Sequence, residues 1–303
     1  MIKPPFSTSK TSGPINPPSL SHWNQSSNPC TSWPEITCTA NTITGITIKQ
    51  DIKGVVPPFV CDIKNLTHLD LSWNFFNENF PTGLYNCTSL EYLDLSQNYF
   101  VGRIPDDISQ LSPELKYLSL LVGIGRLPKL NDIRIFRNNL SGQLPPDFGR
   151  YSELKIFEVS DNNFTGNLPK NLCYNGMLKR LIVYTNSLSG EIPNSIGNCS
   201  RLYTLWLDRN QFTGELPATI GNLTFLENLQ LDDNMFYGNL PEIPINMIVY
   251  SIKNNTMSGA IPSSICGSSF LEAFYVSHNN ISGTIPNCFQ NGSRLTSLKS
   301  KPL

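Results

Sequence analysis

Residues 202–210 of the chain read LYTLWLDRN, with apolar side chains at the first, fourth and sixth positions and asparagine at the ninth. The same nine-position pattern recurs along the 303 residues, at a spacing of 24 almost throughout. The segments that match it without gaps begin at Leu66, Leu90, Leu130, Leu154, Leu178, Leu202, Leu226, Met247 and Leu271. Self-similarity at a fixed period of this length indicates a repeat architecture, and not the two globular domains that length alone would suggest.

The spacing of the apolar positions predicts a stack of short parallel strands. Positions one, four and six point inward from an extended segment, and that segment pairs with the same segment of the next repeat about 4.8 Å away. Asparagine at position nine turns the chain, and its amide can satisfy backbone groups that the turn leaves unpaired. A glycine and an apolar-proline pair usually follow, as in SGEIP at 189–193, and proline suits an extended, non-helical path.

These features define a leucine-rich repeat. They predict an α/β solenoid, a curved stack with a parallel β-sheet on its concave face and short 3-10 or irregular segments on its convex face. Residues 43–294 are predicted to form about ten coils, and residues 295–303 a truncated last coil. Because a solenoid exposes core at its ends, residues 17–42 are predicted to form a disulfide-closed N-terminal cap, after a disordered or degenerate tail at 1–16.

One coil, at residues 115–129, is broken. Its 15 residues keep the strand half, LKYLSL, and a tail, LVGIGRLPK, but lack the turn asparagine and the glycine-apolar-proline stretch. A coil this short predicts an irregular joint near residues 119–129. A gene-model error or a deletion is the preferred interpretation, and a functional hinge is the alternative.

The eight cysteines fall at matching positions of neighbouring coils. Cys61 and Cys173 hold position 20 of their coils, and Cys87 and Cys199 hold position 22 of the next. Stacking brings such positions to about 5 Å, within the Cα range of a disulfide. The predicted pairs are Cys30–Cys38, Cys61–Cys87, Cys173–Cys199 and Cys266–Cys288, and isolated buried thiols are the alternative. Clustered metal ligands are not visible, since histidine occurs only at 22, 68 and 278, so neither a metal nor a cofactor is expected.

Asn-x-Ser/Thr sequons are frequent, although three of them arise partly because the repeat itself is written Asn-Asn-x-Ser/Thr-Gly. The predicted glycosylation sites are Asn24, Asn65, Asn86, Asn139, Asn163, Asn198, Asn222, Asn254, Asn280 and Asn291. Sequons and disulfides together indicate the secretory route. The start, MIKPP, opens no apolar signal segment, and no run approaches 18 apolar residues, so we expect an extracellular module without its targeting and anchoring parts.

The charge balance argues against nucleic acid as a partner. There are 22 Lys and Arg residues against 23 Asp and Glu, for a net charge of -1, and this gives no basic footprint. Catalysis is not indicated either. Residues 147–149 spell the kinase motif Asp-Phe-Gly, but no glycine-rich loop, strand lysine or His-Arg-Asp accompanies it, and we predict a non-enzyme.

The cap, the repeat with its Ser/Thr-Gly-x-Ile/Leu-Pro extension and the cysteine pairs resemble the ectodomains of plant leucine-rich-repeat receptor-like kinases. The stretch from Pro17 to Leu118, with PPSLSHWN and WPEITC, is most similar to the HAESA-like branch. The end, ISGTIPNCF at 281–289, is similar to kinase-less receptor-like proteins. The Arg-x-Arg motif that often holds a peptide's carboxyl end in this branch is not matched, because Arg180 is followed by Ile182.

The resemblance implies a cell-surface receptor for a peptide hormone that acts in cell-surface signalling. Its implied partners are a peptide or protein ligand and a possible co-receptor kinase of the same repeat type. The resemblance also implies a membrane helix and a cytoplasmic Ser/Thr kinase that this chain does not contain, so membrane contact would come only through a missing segment. The implied location is extracellular, or the plasma-membrane surface.

A ligand is expected on the concave face, at strand positions three, five, seven and eight of the middle coils. Aromatic and large apolar side chains there, together with arginine, have the composition of binding hot spots. Phe136, Ile182, Tyr184 and Trp206 are expected to be exposed on these strands. The predicted ligand-binding residues are Arg134, Phe136, Glu158, Arg180, Ile182, Tyr184, Trp206, Asp208, Gln230 and Asp232.

Two alternatives remain beside the receptor. One is a secreted defence protein of the polygalacturonase-inhibiting type, which needs no anchor but should have ten unbroken coils and a closing cap with paired cysteines. The broken coil and the end within a repeat favour the receptor. The other is a truncated, nonfunctional receptor fragment.

Overall fold

The computed structural model describes Leu20, His22 and residues 27–49, 52–56, 58–103, 105, 107, 110–119, 127, 129–290 and 297–299. The chain divides into two compact units, Met1–Leu140 and Ser141–Leu303. The predicted tail at 1–16, the sequons at Asn24 and Asn291, and residues 120–126 and 128 of the broken coil lie outside the described residues.

The first unit contains a short helix, α1, followed by short strands. The bounds of its elements are α1 (Pro29–Ser32), β1 (Ile36–Thr39), β2 (Thr42–Thr47), β3 (Lys53–Gly54), β4 (His68–Asp70), β5 (Phe75–Phe76), β6 (Tyr92–Asp94), β7 (Val101–Arg103), β8 (Tyr117–Ser119) and β9 (Asp132–Arg134), with 3-10 helices at Pro58–Asp62 and Thr82–Asn86. Strands β2, β4, β6, β8 and β9 pair in parallel in chain order, and β1 pairs with β2 in the antiparallel direction. Strands β3 and β5 form a small parallel pair of their own.

The second unit repeats one plan. Strand β10 (Asn139–Gln143) begins at the end of the first unit. The further elements are β11 (Ile156–Glu158), β12 (Asn163–Gly166), β13 (Arg180–Ile182), β14 (Ser187–Gly190), β15 (Thr204–Trp206), β16 (Gln211–Glu215), β17 (Asn228–Gln230), β18 (Met235–Asn239), β19 (Val249–Ser251), β20 (Thr256–Gly259), β21 (Ala273–Tyr275), β22 (Asn280–Ile281) and β23 (Ser297–Lys299), with 3-10 helices at Asn194–Asn198, Ala218–Asn222, Ser263–Gly267 and Asn287–Gln290. The odd-numbered strands from β11 to β23 form one parallel sheet, and the even-numbered strands from β12 to β22 form another.

The apolar positions of the repeat form the core, as predicted. Leu202, Leu205 and Leu207 have no exposed surface. Behind the strands, Phe212 and Phe236 of successive repeats stack with ring centroids 6.2 Å apart. The α/β solenoid fold with 3-10 segments opposite the strands is confirmed, and β23 supplies the strand half of the last predicted coil.

The turn asparagines join neighbouring repeats, which confirms their predicted role. Asn210 donates from its Nδ2 to the carbonyls of Val183 (3.0 Å), Leu207 (3.1 Å) and Asp208 (3.2 Å), and its Oδ1 accepts from the Leu188 N–H at 3.0 Å. Four backbone groups of two repeats are therefore satisfied by one half-buried amide. The asparagines with this full set are Asn74, Asn98, Asn186, Asn210, Asn234, Asn255 and Asn279.

All four predicted disulfides are present, with Cα–Cα distances from 4.6 to 5.6 Å. Cys30–Cys38 ties α1 to β1 in the predicted cap. Trp33 is buried there, and its indole N–H donates to the Ser27 hydroxyl at 2.7 Å. The other three disulfides join neighbouring repeats. The alternative of isolated buried thiols is therefore wrong.

The broken coil keeps its strand. Strand β8 lies between β6 and β9, and all of them are parallel. Beyond the strand, the repeat before it bonds directly to the repeat after it: the Asn139 N–H donates to the Phe100 carbonyl at 3.1 Å, and the Gln97 N–H to the Phe136 carbonyl at 3.4 Å. The strand half of the broken coil is thus part of the sheet. The turn halves of the repeats before and after the broken coil hydrogen-bond to each other directly.

Candidate functional site

The strands that carry repeat positions three to five form a sheet with one face on the core. The opposite face carries the side chains of positions three, five and seven, and we call it the open face. In the second unit its rows are fixed by register, since Glu158 pairs with Ile182, Ile182 with Trp206, and Trp206 with Gln230. The ladder continues past the strand ends, because the Thr185 N–H donates to the Asp208 carbonyl at 3.0 Å. Side chains at one position of successive repeats therefore lie about 4.8 Å apart.

Two of the predicted ligand-binding residues belong to the first unit. The Arg134 guanidinium pairs with the Asp132 carboxylate at 3.1 Å and lies 5.8 Å from the centroid of the Tyr117 ring. Phe136 is half-buried and not exposed as expected. The remaining eight lie in the second unit, on or just after β11, β13, β15 and β17.

Ile182 is not an exposed side chain, and this expectation was wrong. Its side chain points to the open face but has 0% exposed surface. It lies in register between Glu158 and Trp206 of the neighbouring strands, and the packing around it leaves no accessible surface. Ile182 therefore packs beneath its neighbours, and we do not propose it as a residue that contacts the ligand.

Tyr184 and Trp206 form the aromatic centre of this face. Their ring centroids are 6.3 Å apart, at an interplanar angle of 54°. Both side chains are half-buried, so the expectation of fully exposed rings is corrected to a partly sheltered pair. The Trp206 Nε1 is buried and has no hydrogen-bond partner among the described residues, although a buried indole N–H normally finds one.

Asp208, two residues after Trp206 on the same face, is an unusual carboxyl group. Burial is the main cause that raises its pKa, to about 6; a hydrogen bond from its own backbone N–H and the Arg209 charge lower the pKa, and the carboxylates of Asp232 and Asp233 add smaller raising contributions. Its Oδ1 is buried and lacks a partner within the described part of the chain. Burial disfavours the charged form of this carboxyl group more than the backbone bond favours it.

Asp232, at the same position of the next repeat, has the opposite environment. Its Oδ1 accepts from the Ser251 hydroxyl at 2.6 Å and the Lys253 N–H at 2.7 Å, and its Oδ2 pairs with the Lys253 Nζ at 3.0 Å. Lys253 also lies 5.2 Å from the Tyr275 ring centroid. The charge of Asp232 is thus neutralised by Lys253 of the same chain, whereas that of Asp208 is not.

Two polar side chains near Asp208 were missed as site residues by sequence reasoning. The hydroxyls of Ser160 and Thr185 are buried without a partner in the described residues, and Ser160 has 0% exposed surface. Thr185 also stands at position eight, where the backbone is left-handed, with φ 52°. A β-branched residue is strained there. Position alone could have selected both residues, but their unsatisfied state depends on contacts that a sequence does not show.

The first unit carries an aromatic ladder that the sequence interpretation also missed. His68, Tyr92 and Tyr117 stack at position three of successive repeats, with centroid distances of 4.0 and 4.1 Å. Both tyrosine hydroxyls donate to Asp94 Oδ2, at 3.5 and 3.4 Å. Burial raises the pKa of Tyr92 to about 12 and lowers that of His68. Reading position three in these coils would have found the ladder, and its bonded carboxylate makes it a stiffening element of the sheet.

The predicted glycosylation sites that the structure describes are all exposed: Asn65, Asn86, Asn139, Asn163, Asn198, Asn222, Asn254 and Asn280. A pocket of about 290 Å³ opens beside the acidic row and is lined by Asp233, Lys253, Asn254 and His278. Within the described residues, His, Cys, Asp and Glu do not gather in threes that could hold a metal ion. Across the same residues, none of the helices is long and apolar enough to cross a membrane.

Comparisons with known proteins agree with this geometry. The Leucine Rich Repeat family model matches residues 65–87, 89–111, 177–199, 201–223 and 270–291. The chain is similar to the ectodomain of the Arabidopsis receptor kinase HAESA in complex with a peptide hormone ligand, with a TM-score of 0.76 and 30% identity over 85% of this chain. The chain has the leucine-rich-repeat fold of plant receptor ectodomains.

Further matches support this assignment. The plant peptide hormone receptor RGFR1, solved in complex with RGF2, matches with a TM-score of 0.76 and 27% identity over 83% of this chain. HAESA in complex with its peptide hormone IDA and the co-receptor SERK1 matches with a TM-score of 0.73 and 29% identity over 85% of this chain. A leucine-rich-repeat receptor-like protein kinase of Arabidopsis thaliana is 44% identical over 78 residues, 24% of this chain.

The matches cover only parts of these relatives. The aligned stretch spans 9% of the Arabidopsis receptor-like kinase, 42% of the RGFR1 chain and 46% of each HAESA chain. The matched regions are repeats, not a kinase domain. The chain is thus similar to the extracellular parts of these receptors, and its four disulfides fit an extracellular environment.

Proposed function

We propose that the chain is the ligand-recognition part of a plant cell-surface receptor and binds a peptide along the open face of its second unit. The observation that carries this proposal is the Tyr184–Trp206 pair, two half-buried aromatic rings in adjacent repeats of the open face. Aromatic side chains in partly desolvated positions dominate the energy of protein interfaces. In the proposed complex, Glu158, Arg180, Gln230 and Asp232 contact the peptide around this pair.

The same comparisons support a proposal for the partners. Similar ectodomains have been solved with peptide hormones, and one of them with a co-receptor as well. We infer a location at the plasma-membrane surface or in the extracellular space, glycans on the exposed sequons, and a leucine-rich-repeat co-receptor. Arg134 and Phe136 of the first unit are proposed to contribute to ligand contact.

The proposal is tested with a library of random linear peptides displayed on yeast. The chain is secreted from a eukaryotic host, so that its disulfides form, and is used to select binders. Changing Tyr184→Ala and Trp206→Ala together should weaken the selected peptides by more than about 2 kcal/mol, a loss of hot-spot size. Tyr237→Ala is the matched control, because Tyr237 is an exposed aromatic residue on β18 of the other sheet.

Two results would overturn the proposal. One is an unchanged affinity in the Tyr184, Trp206 double variant. The other is the failure of the folded chain to select any peptide. If that same preparation also inhibited a fungal polygalacturonase, the secreted defence protein would become the supported function in place of the receptor.

A further inference from the structure

We propose that Asp208, with Trp206, Tyr184 and Thr185 around it, forms a subsite for a cationic side chain, lysine or arginine, of the bound peptide. The inference rests on the proposed function, since it names the chemical group that the open face would select. It concerns one point of that face and makes no claim about the rest of the peptide.

The residues of the subsite are brought together by two neighbouring repeats. Trp206 is the last residue of β15 and Asp208 follows it by two residues, so both side chains project to the open face. Tyr184 lies in the adjacent repeat, with its ring 6.3 Å from that of Trp206. Thr185 follows it, and its N–H donates to the Asp208 carbonyl at 3.0 Å.

The subsite contains more unsatisfied polar atoms than a plain surface. Asp208 Oδ1, Trp206 Nε1 and Thr185 Oγ1 are buried without partners among the described residues. In the repeat before that of Tyr184, the hydroxyl of the fully buried Ser160 also lacks a hydrogen-bond partner among the described residues. Because buried polar atoms almost always find a partner, a cluster of them on an open face indicates partners that arrive with a ligand. The carboxylate needs a donor from that ligand, and the indole N–H needs an acceptor such as a peptide carbonyl.

The neighbouring acid shows which donor fits. Asp232 is neutralised by Lys253, which stands at position seven of the following repeat and also contacts the Tyr275 ring. For Asp208, the equivalent place in the following repeat is occupied by Asp232 itself, so a second acid stands where the counter-ion would be. The exposed Arg209 follows Asp208 on the chain but forms no ion pair with it in the described structure. A ligand ammonium or guanidinium would take the role at Asp208 that Lys253 has at Asp232.

Aromatic faces and charge complete the match. A cation is attracted by the faces of tryptophan and tyrosine rings as well as by a carboxylate, and the Tyr184–Trp206 pair lies beside the acid. Burial raises the pKa of Asp208 to about 6 in the free protein, and a bound cation would lower that pKa again.

The same displayed peptide library tests the subsite, with three forms of the folded chain: unaltered, Asp208→Asn and Asp233→Asn. Asp233→Asn is the matched control, because it removes the same charge from an exposed carboxylate in the next repeat. Peptides selected by the unaltered chain should share a lysine or arginine at one aligned position. Replacing it by norleucine or citrulline should weaken binding about 30-fold or more, as expected when one partner of a desolvated charge pair is removed.

The variants then locate the effect. Asp208→Asn should bind the basic peptide and its neutral analogue equally, whereas Asp233→Asn should keep the preference. The unliganded melting curve of Asp208→Asn shows that the variant is folded. Selected peptides without a shared basic residue, or a preference that survives in Asp208→Asn, would overturn the subsite and leave peptide binding intact. If the unaltered chain selects no peptide at all, the proposed function fails and the subsite fails with it.

Discussion

The regular repeats of the second unit and the broken coil of the first differ most clearly in their turn asparagines. Asn210 makes four hydrogen bonds to backbone groups of two neighbouring repeats. Asn138 follows the broken coil, and its Nδ2 reaches the Phe136 carbonyl at 3.4 Å, while its Oδ1 is buried without a partner among the described residues. The same residue type at the same repeat position is fully bonded in one place and largely unbonded in the other.

The difference shows that the asparagine stabilises an interface between repeats, not a turn within one. In each regular case the Oδ1 accepts an N–H that comes from the turn half of the preceding repeat. The broken coil has no such turn half to offer. Stability in this fold is a sum over interfaces between neighbouring repeats. Residues missing from one repeat therefore cost hydrogen bonds at the interface with the next repeat along the chain.

The largest expected effect comes from removing one asparagine of each kind. Asn210→Ala removes four hydrogen bonds between the side chain and the backbone and leaves the Leu188 N–H unpaired. The three carbonyls each keep one other bond, and the sum of the four losses should destabilise the chain by about 3 kcal/mol or more. Asn138→Ala removes one long bond and should cost about 1 kcal/mol or less. Thermal unfolding of the secreted chain, followed by circular dichroism, measures both. Equal losses at the two positions would contradict the comparison.

The second effect concerns cross-links between repeats. Cys61–Cys87 and Cys173–Cys199 both span 26 residues and join neighbouring repeats, one pair in each unit. The chain-entropy argument gives about 3 kcal/mol for each cross-link. Double replacement by serine should therefore lower the melting temperature of both variants by similar amounts. A clearly smaller loss for the pair in the first unit would show that its repeats are already less cooperative.

The sequence was sufficient for the fold and the disulfides because both depend on register. Once the repeat is aligned, Leu205 must be buried and Cys173 must face Cys199. It was not sufficient for the site. Ile182 points to the open face, yet it has 0% exposed surface, and burial of this kind depends on side-chain packing that no position number gives.

The contrast between Asp208 and Asp232 makes the same point for charge. Both are acids at position seven of successive repeats, and the sequence interpretation treated them alike. Only the structure shows that Lys253 neutralises Asp232 and that Asp208 Oδ1 lacks a partner among the described residues. Peptide binding, the co-receptor and glycan occupancy remain predictions, because they concern molecules outside the chain.

Asp208 gives a third, pH-dependent prediction. Its folded pKa is raised to about 6, so between about pH 4 and 6 the folded state binds more protons than the unfolded state, and stability falls as pH rises through this window. Asp208→Asn removes that loss. After allowance for solvent screening, it should raise stability by about 1 kcal/mol at pH 7. Melting curves from pH 4 to pH 7 should show the gain vanish at the acid end, and a gain independent of pH would contradict the raised pKa.

The smallest effect concerns backbone strain at position eight. In the described repeats this position has positive φ, and it is held by residues as different as Trp73, Asp233 and Asn254. Asparagine tolerates the left-handed region far better than a β-branched residue. Thr185→Asn should therefore stabilise the unliganded chain by about 0.5 to 1 kcal/mol. Asp233→Asn, which exchanges two residues that both tolerate the left-handed region, should change the melting temperature little.

If Thr185→Asn is stabilising and also weakens the selected peptides, the threonine is retained for ligand contact at the expense of stability. A variant that is less stable than the parent would show that the Thr185 side chain makes favourable contacts that outweigh the strain.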